Sequence, residues 1–300
     1  MSESMSKIVN KINKDNFLLN LFKKFKKEWL LVIIPALFII IVMFIPILKL
    51  FKLAVFDTDG FTLKYLGQIF TQKIYLTVIL ITLITSILVT LLTLVLAYPV
   101  CYCLIKLKSK RIKGIIMALV LIPFWISLLA RTFSWMIILQ DKGIVNNFLI
   151  SIGLINQPIH LMYNTIGVVI GMTHILFPYM FLNIYANMVN IDIRLLQVSE
   201  IMGSRPYKTF WIIFFPLSIP GIFTGSLLVF VLAMGYFIIP SFLGGTKDMM
   251  VSTLIQNDII STLNWPMASA LALMLFILML LILGVSLIIF KNNPMLKEGL

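Results

Sequence analysis

Residues 74–105 read IYLTVILITLITSILVTLLTLVLAYPVCYCLI, and this run decides the fold class. It contains no Asp, Glu, Lys or Arg. A helix that crosses a bilayer needs about 20 mostly apolar residues. The run exceeds that, so it is long enough to tilt or to continue past the hydrocarbon. Directly after it come Lys106, Lys108, Lys110, Arg111 and Lys113 with no acid among them. That cluster puts this end on the cytoplasmic side.

Working outward, five further runs have the same character: Trp29–Leu48, Gly114–Leu139, Thr165–Val189, Phe210–Pro240 and Met267–Phe290. Lys23, Lys24, Lys26 and Lys27 precede the first, and Lys291 and Lys297 follow the last. Pro216 and Pro220 interrupt the fifth. The expectation is an all-α membrane protein with six transmembrane helices and both termini cytoplasmic. Residues 1–28 form a basic N-terminal tail, 29–290 a single transmembrane domain with an inner loop at 190–209, and 291–300 a C-terminal tail.

Composition agrees. Of 300 residues, 61% are hydrophobic and 12% charged, whereas a soluble domain is about half apolar and a quarter charged. The formal net charge of +13 suggests nucleic acid or an acidic substrate until its positions are read. Of the 24 Lys and Arg residues, 17 fall in the two tails and the two inner loops. The outer loops 49–73, 140–164 and 241–266 hold six Lys against five Asp. The charge therefore records topology. The N-terminus lacks the pattern of a cleaved signal. Lys7–Glu28 reads either as an amphipathic helix on the inner membrane surface or as a solvated basic tail. Cys101 and Cys103 are too closely spaced for a metal site and read as packing residues.

Catalytic chemistry is missing. There is no phosphate-binding G-x-x-x-x-G-K-[ST] loop, since Gly244-Gly245-Thr246-Lys247 lacks the spacing. His160 and His174 have no metal-ligand partners at useful spacing, and no nucleophile-plus-base pair can be argued. The expected spans hold no Asp or Glu, whereas ion-coupled carriers usually place an ionisable relay there. The energy source is expected on another subunit.

The inner loop is the informative one. Ile191, Leu195, Val198 and Met202 recur at helical spacing, Gly203 permits a left-handed helix end, and Ser204-Arg205-Pro206 has the chemistry of a new helix start. Such an element either docks on another protein or lies on its own membrane domain. Residues 197–216 resemble the cytoplasmic loop of ABC importer permeases, whose pattern is Glu-Ala-Ala, three residues, Gly, nine residues, Ile-x-Leu-Pro. Gly203, Ile213 and Pro216 hold those spacings, with Phe215 in the Leu place. Gln197-Val198-Ser199 stands where Glu-Ala-Ala is typical, so a docking charge is missing.

A second set of motifs resembles spermidine/putrescine permeases of the PotB type. It comprises Pro123-Phe124-Trp125-Ile126-Ser127-Leu128-Leu129-Ala130-Arg131-Thr132-Phe133-Ser134-Trp135, Asp141-Lys142-Gly143-Ile144-Val145-Asn146-Asn147, Pro216-Leu217-Ser218-Ile219-Pro220-Gly221 and Phe242-Leu243-Gly244-Gly245. The likeness runs from about residue 60 to 290. It implies the ABC importer (MetI-like) permease architecture in a bacterial inner membrane. It also implies a second permease as heterodimer partner, two ATPase subunits and an extracytoplasmic solute-binding protein. ATP and Mg would then bind the partner ATPase, with no cofactor and no nucleic acid on this chain. The 190–209 loop becomes the ATPase coupling loop, carried by Gln197, Val198, Ser199, Gly203, Arg205, Ile213 and Pro216. The implied solute is a polyamine. Another small solute (an amino acid derivative, a sugar phosphate or ferric ion) and a secondary carrier remain open.

Trp125, Arg131, Tyr236 and Asp258 are the candidates for a solute path or gate. Trp125 lies inside the third span, where packing between helices explains it as well as a path does. Arg131 either snorkels outward or pairs with an outer Asp or the partner permease. Asp248 and Asp258, in the last outer loop, are placed to attract a cation or dock the binding protein. Trp29, Trp135, Trp211 and Trp265 fall near span ends, as the interfacial aromatic belt requires. His174 reads as a hydrogen-bonded core residue, and Gly167/Gly171 and Gly221/Gly225 as packing pairs. The charges of a polyamine would be met by aromatic faces, by carbonyls near the broken fifth span, and by acids on the partner.

Overall fold

The computed structural model describes residues 27–57, 60–192 and 194–292. The readings for residues 1–26 and for the tail beyond 292 lie outside them. The chain divides into two compact units, one ending at Leu53 and one starting at Ala54. The described part of the first is helix α1 (Lys27–Val55) up to Leu53. Its side chains from Val32 to Leu48 are apolar around the whole circumference and largely exposed. A helix apolar on every face suits lipid rather than water.

The second unit opens with a two-stranded hairpin, β1 (Phe56–Asp57) and β2 (Gly60–Phe61), then α2 (Lys64–Thr71) and α3 (Lys73–Lys106). Helix α3 contains the run quoted above. It tolerates hydroxyls because Thr82, Thr90 and Thr93 each donate to the carbonyl four residues back. Those three hydroxyls are thereby satisfied inside the helix, whereas Ser86 Oγ is buried with no hydrogen-bond partner among the described residues.

Helix α3 packs against α7 (Thr165–Val189) and α10 (Phe215–Met234), which also pack on each other. This triangle holds the main core, with Val89, Ala97 and Cys101 from α3, Met172, Met180 and Phe181 from α7, and Val229 and Ala233 from α10. Cys101 is buried as expected, but Cys103 is exposed. Both glycine pairs act as packing surfaces. A Cβ on Gly221 would sit 2.6 Å from Asn187 Cβ, and one on Gly171 would sit 2.8 Å from Leu243 Cδ1. A second cluster joins Ala54 and Ile69 to Val78 of α3, to Val251 and Leu254 of α12 (Val251–Ile260) and to Met267 and Leu271 of α13 (Trp265–Asn292). Thr82 Oγ1 also accepts from Val251 N–H at 2.9 Å, tying α12 to α3. The far half of α13 exposes Phe276, Leu280, Leu281 and Ile288.

Two spans differ from the sequence expectation. The stretch 114–139 is not one straight helix. It comprises α4 (Lys110–Leu121), a 3₁₀ turn (Ile122–Trp125) and α5 (Leu128–Leu139), followed by α6 (Ile144–Ser151), with a bend of 103°. Pro123 has no N–H for the ladder, and its ring collides with the carbonyl four residues back. Ile126 and Ser127 then turn extended, with ψ of 134° and 135°. Among the described residues, five helices are long and apolar enough to cross a membrane, and six if this bent pair counts as one span.

The fifth span does the reverse and runs through Pro216 and Pro220. The short helix α9 (Pro206–Thr209) passes into a π-helical turn (Phe210–Phe214) and on into α10. Phe215 N–H returns to Phe210 O, five residues back, so the ladder has widened just before Pro216. The break comes instead at Gly235–Phe237, ahead of α11 (Ile238–Leu243). A glycine, not the prolines, ends the helix.

Candidate functional site

Two regions carry the expected site residues. The first is the 190–209 loop. Asp192 Oδ1 accepts from Arg194 N–H at 2.9 Å, which starts helix α8 (Arg194–Ile201). Gly203 ends it with φ +86°. Ser204 N–H returns to Ser199 O at 3.1 Å and Gly203 N–H to Glu200 O at 3.0 Å, the paired bonds of a Schellman close. Arg205 is extended and Pro206 takes the first turn of α9.

The expected apolar stripe is split. Ile191 packs on the core, as does Leu196, which the stripe did not include. Leu195, Val198 and Met202 face outward, joined by Ile201, which is 85% exposed. Gln197 and Arg205 are exposed, whereas Ile213 and Pro216 are half-buried. Ser199 turns inward, where its Oγ lies 3.0 Å from Thr209 Oγ1. This bond crosses the Gly203 turn, and no periodicity in the sequence signals it. Under the loop lies a cavity of about 180 Å³ lined by Tyr102, Lys106, Gln197, Glu200 and Phe210. Lys106 Nζ sits 4.5 Å from the centre of the Tyr102 ring.

The second region lies where the two broken spans approach α7. Trp135 Nε1–H donates to His174 Nδ1 at 3.1 Å. Trp135 is therefore a bridge from α5 to α7 rather than only an interfacial belt residue, and His174 is hydrogen-bonded as expected, though exposed on one side. Arg131 is an electrostatic neighbour of His174 and of Tyr236, and Tyr236 of Tyr179. Arg131 Nε is buried with no hydrogen-bond partner among the described residues. Tyr179 meets Phe124 edge-on at 5.0 Å, and Trp125 follows Phe124 with 91% of its surface exposed. The structure thus gathers Arg131 and Tyr236 into one neighbourhood and sets Trp125 at its rim.

Asp258 stands apart, on α12. It is buried, with Oδ1 accepting from Thr262 Oγ1 at 3.3 Å and Oδ2 without a hydrogen-bond partner among the described residues. Burial pushes its carboxyl above the usual value, and the Thr262 hydrogen bond opposes that in part. Asp248 accepts from Thr165 Oγ1. Asp258 is thus enclosed rather than presented at an open mouth.

The open mouth lies elsewhere. A cleft of about 920 Å³ is lined by Phe133, Met136, Gln140, Asp141, His160 and Tyr163. His160 Nδ1 lies 3.0 Å from Asp141 Oδ1. Buried Asn146 fastens its wall, donating to Gln140 O and Ile159 O and accepting from Ile159 N–H. His160 lacks a metal-ligand partner at useful spacing in the sequence, and the side chain it meets, Asp141, is nineteen positions away.

Residues 104–292 match the family described as binding-protein-dependent transport system inner membrane component. The spermidine/putrescine transport system permease protein PotB of Haemophilus influenzae is 32% identical over 227 residues, 76% of this chain and 78% of that protein. Escherichia coli PotB is 34% identical over 212 residues, 71% of this chain and 77% of that protein. The E. coli inner membrane ABC transporter permease protein YdcU is 28% identical over 276 residues, 85% and 87% of the two chains. Among solved structures, a bacterial ABC transporter that imports the acidic polysaccharide alginate superposes with a TM-score of 0.74 at 18% identity. That match covers 92% of this chain and 99% of the other. The inward-facing MetNI methionine ABC transporter gives 0.55 at 15% identity, covering 77% and 100%. At such identities the structural likeness bears on the fold alone.

Proposed function

The chain belongs to the binding-protein-dependent transport system inner membrane component family, and on that premise we propose that it passes polyamines through the membrane. It is the permease subunit of an ABC importer. The observation that carries the polyamine reading is 32–34% identity, over more than two-thirds of the chain, to permeases named for spermidine and putrescine.

In this reading both termini lie in the cytoplasm. A second permease completes the path, two ATPase subunits bind ATP and Mg below, and a solute-binding protein delivers from above. The outward face of Leu195, Val198, Ile201 and Met202 supports a docking role for the 190–209 loop, because so much apolar surface on a short polar loop calls for a partner. ATPase closure then moves the loop and switches the cavity from outward- to inward-facing.

The test is uptake of radiolabelled putrescine by proteoliposomes holding the complete importer and its binding protein. ATP-dependent uptake, competed by spermidine and not by amino acid derivatives, sugar phosphates or ferric ion, is expected. Uptake that needs no ATP and collapses with an ionophore would replace the reading with a secondary carrier.

A further inference from the structure

Helix α3 carries a lysine at each end. Lys73 opens it and Lys106 closes it, about 50 Å apart at the helical rise. With an ordinary tilt that length reaches from one headgroup layer to the other, across about 40–45 Å. Lys106 lines the cavity under the 190–209 loop, so Lys73 stands at the opposite membrane surface. There the fold brings Lys247, from the 241–266 loop, to the same cleft. The cleft holds about 450 Å³, and Ile74, Thr77, Ile81 and Met249 also line it.

Its charges are unanswered. Neither lysine forms a salt bridge among the described residues. Asp248, beside Lys247 in sequence, accepts instead from Thr165 Oγ1 of α7. Lys73 is also the first residue of α3, with no acid in the first turn, where the helix dipole repels a cation. Two ammonium groups thus converge on one cleft at a cost that an anion would offset. A small anion, however, has no use for the apolar part of the lining. Ile74, Ile81, Ile84 and Leu88 recur at helical spacing on one face of α3, and Ile74, Ile84 and Leu88 are exposed on it. An apolar track therefore leads from the cationic cleft along the span. Clustered lysines at a membrane surface attract anionic headgroups, and hydrocarbon suits the track. The same two charges repel a polyamine, so the cleft does not suit the solute.

We propose that the Lys73–Lys247 cleft is a binding site for an anionic phospholipid, with its phosphate at the two lysines and an acyl chain along the Ile74–Leu88 face. The site is independent of which solute the chain passes. The test places the complete importer in phosphatidylcholine nanodiscs with phosphatidylglycerol carrying a photoreactive group on its acyl chain. Peptide mass spectrometry should find the label within residues 74–88. Unlabelled phosphatidylglycerol should compete it away, and neither phosphatidylcholine nor inorganic phosphate should. The apparent affinity for phosphatidylglycerol should fall about fivefold for each of Lys73→Gln and Lys247→Gln. It should stay level for Lys142→Gln, which alters a lysine of the larger cleft beside His160. Equal competition by phosphatidylcholine, or labelling that ignores both lysine variants, overturns the site. Displacement by inorganic phosphate as effective as by phosphatidylglycerol replaces the lipid with a small anion. Intact labelling in the lysine variants with weakened capture of the solute-binding protein would make an acidic protein surface the occupant and overturn the lipid assignment.

Discussion

At the scale of the residue, Gly203 and Asp258 make the sharpest claims. Gly203 holds φ +86° with nothing within 4 Å of where a Cβ would stand. The constraint is conformational rather than steric crowding, and a left-handed conformation costs an ordinary residue roughly 1–2 kcal/mol. Asparagine tolerates that region. Gly203→Asn should therefore keep most of the ATPase activity stimulated by solute-loaded binding protein, whereas Gly203→Val should lose the bulk of it at equal membrane abundance. Equal activity of the two variants would remove the turn from the coupling argument. Asp258 tests burial. Its folded carboxyl is raised by desolvation, so the folded chain holds a proton more firmly than the unfolded chain. Stability from this group is present at low pH and is lost as pH rises above the ordinary carboxylate value of 3.8 through the folded one. Asp258→Asn should raise the thermal midpoint of the solubilised protein at pH 7.5 and flatten its fall with pH. An unchanged pH profile would mean that the carboxyl is hydrated.

At the scale of the element, glycines decide which helices touch. Alanine at Gly221 would press its Cβ to within 2.6 Å of Asn187 Cβ and force α7 and α10 apart, while Gly284 on α13 has nothing within 4 Å. Overpacking costs about 1–3 kcal/mol, whereas replacing an open helical glycine by alanine gains about 0.4–1 kcal/mol. Gly221→Ala should lower the thermal midpoint and Gly284→Ala should leave it level or raise it, read in the same detergent. The spacing of both small-residue pairs was legible in the sequence. Their partners were not, since Asn187, Leu243 and Ile239 are set by how the helices cross. Proline was the less reliable guide. Pro123 breaks its span, yet Pro216 does not, because the π turn at Phe210–Phe214 widens the ladder ahead of it.

At the scale of the whole molecule, the chain is one part of an engine. Purified alone it should hydrolyse no ATP, and robust turnover by the single chain would overturn the subunit assignment. Topology is checked with a thiol reagent that does not cross membranes. In intact cells a cysteine replacing exposed His160 should react, and one replacing exposed Arg205 should react only after permeabilisation. Reversed labelling would invert the proposed orientation and take the ATPase away from the 190–209 loop.

Hydropathy and charge placement in the sequence determined the class of protein and where its apolar runs lie, and the glycine at 203 foretold the turn there. These are local properties, since a helix in lipid satisfies its own backbone wherever the rest of the chain lies. Tertiary structure alone decided that Ser199 closes on Thr209, that Arg131 joins Tyr236 while Asp258 stays apart, and that His160 meets Asp141. Each of these joins residues distant in the chain or depends on which face a neighbouring helix covers. Neither follows from period or composition, because both arise only when the helices pack.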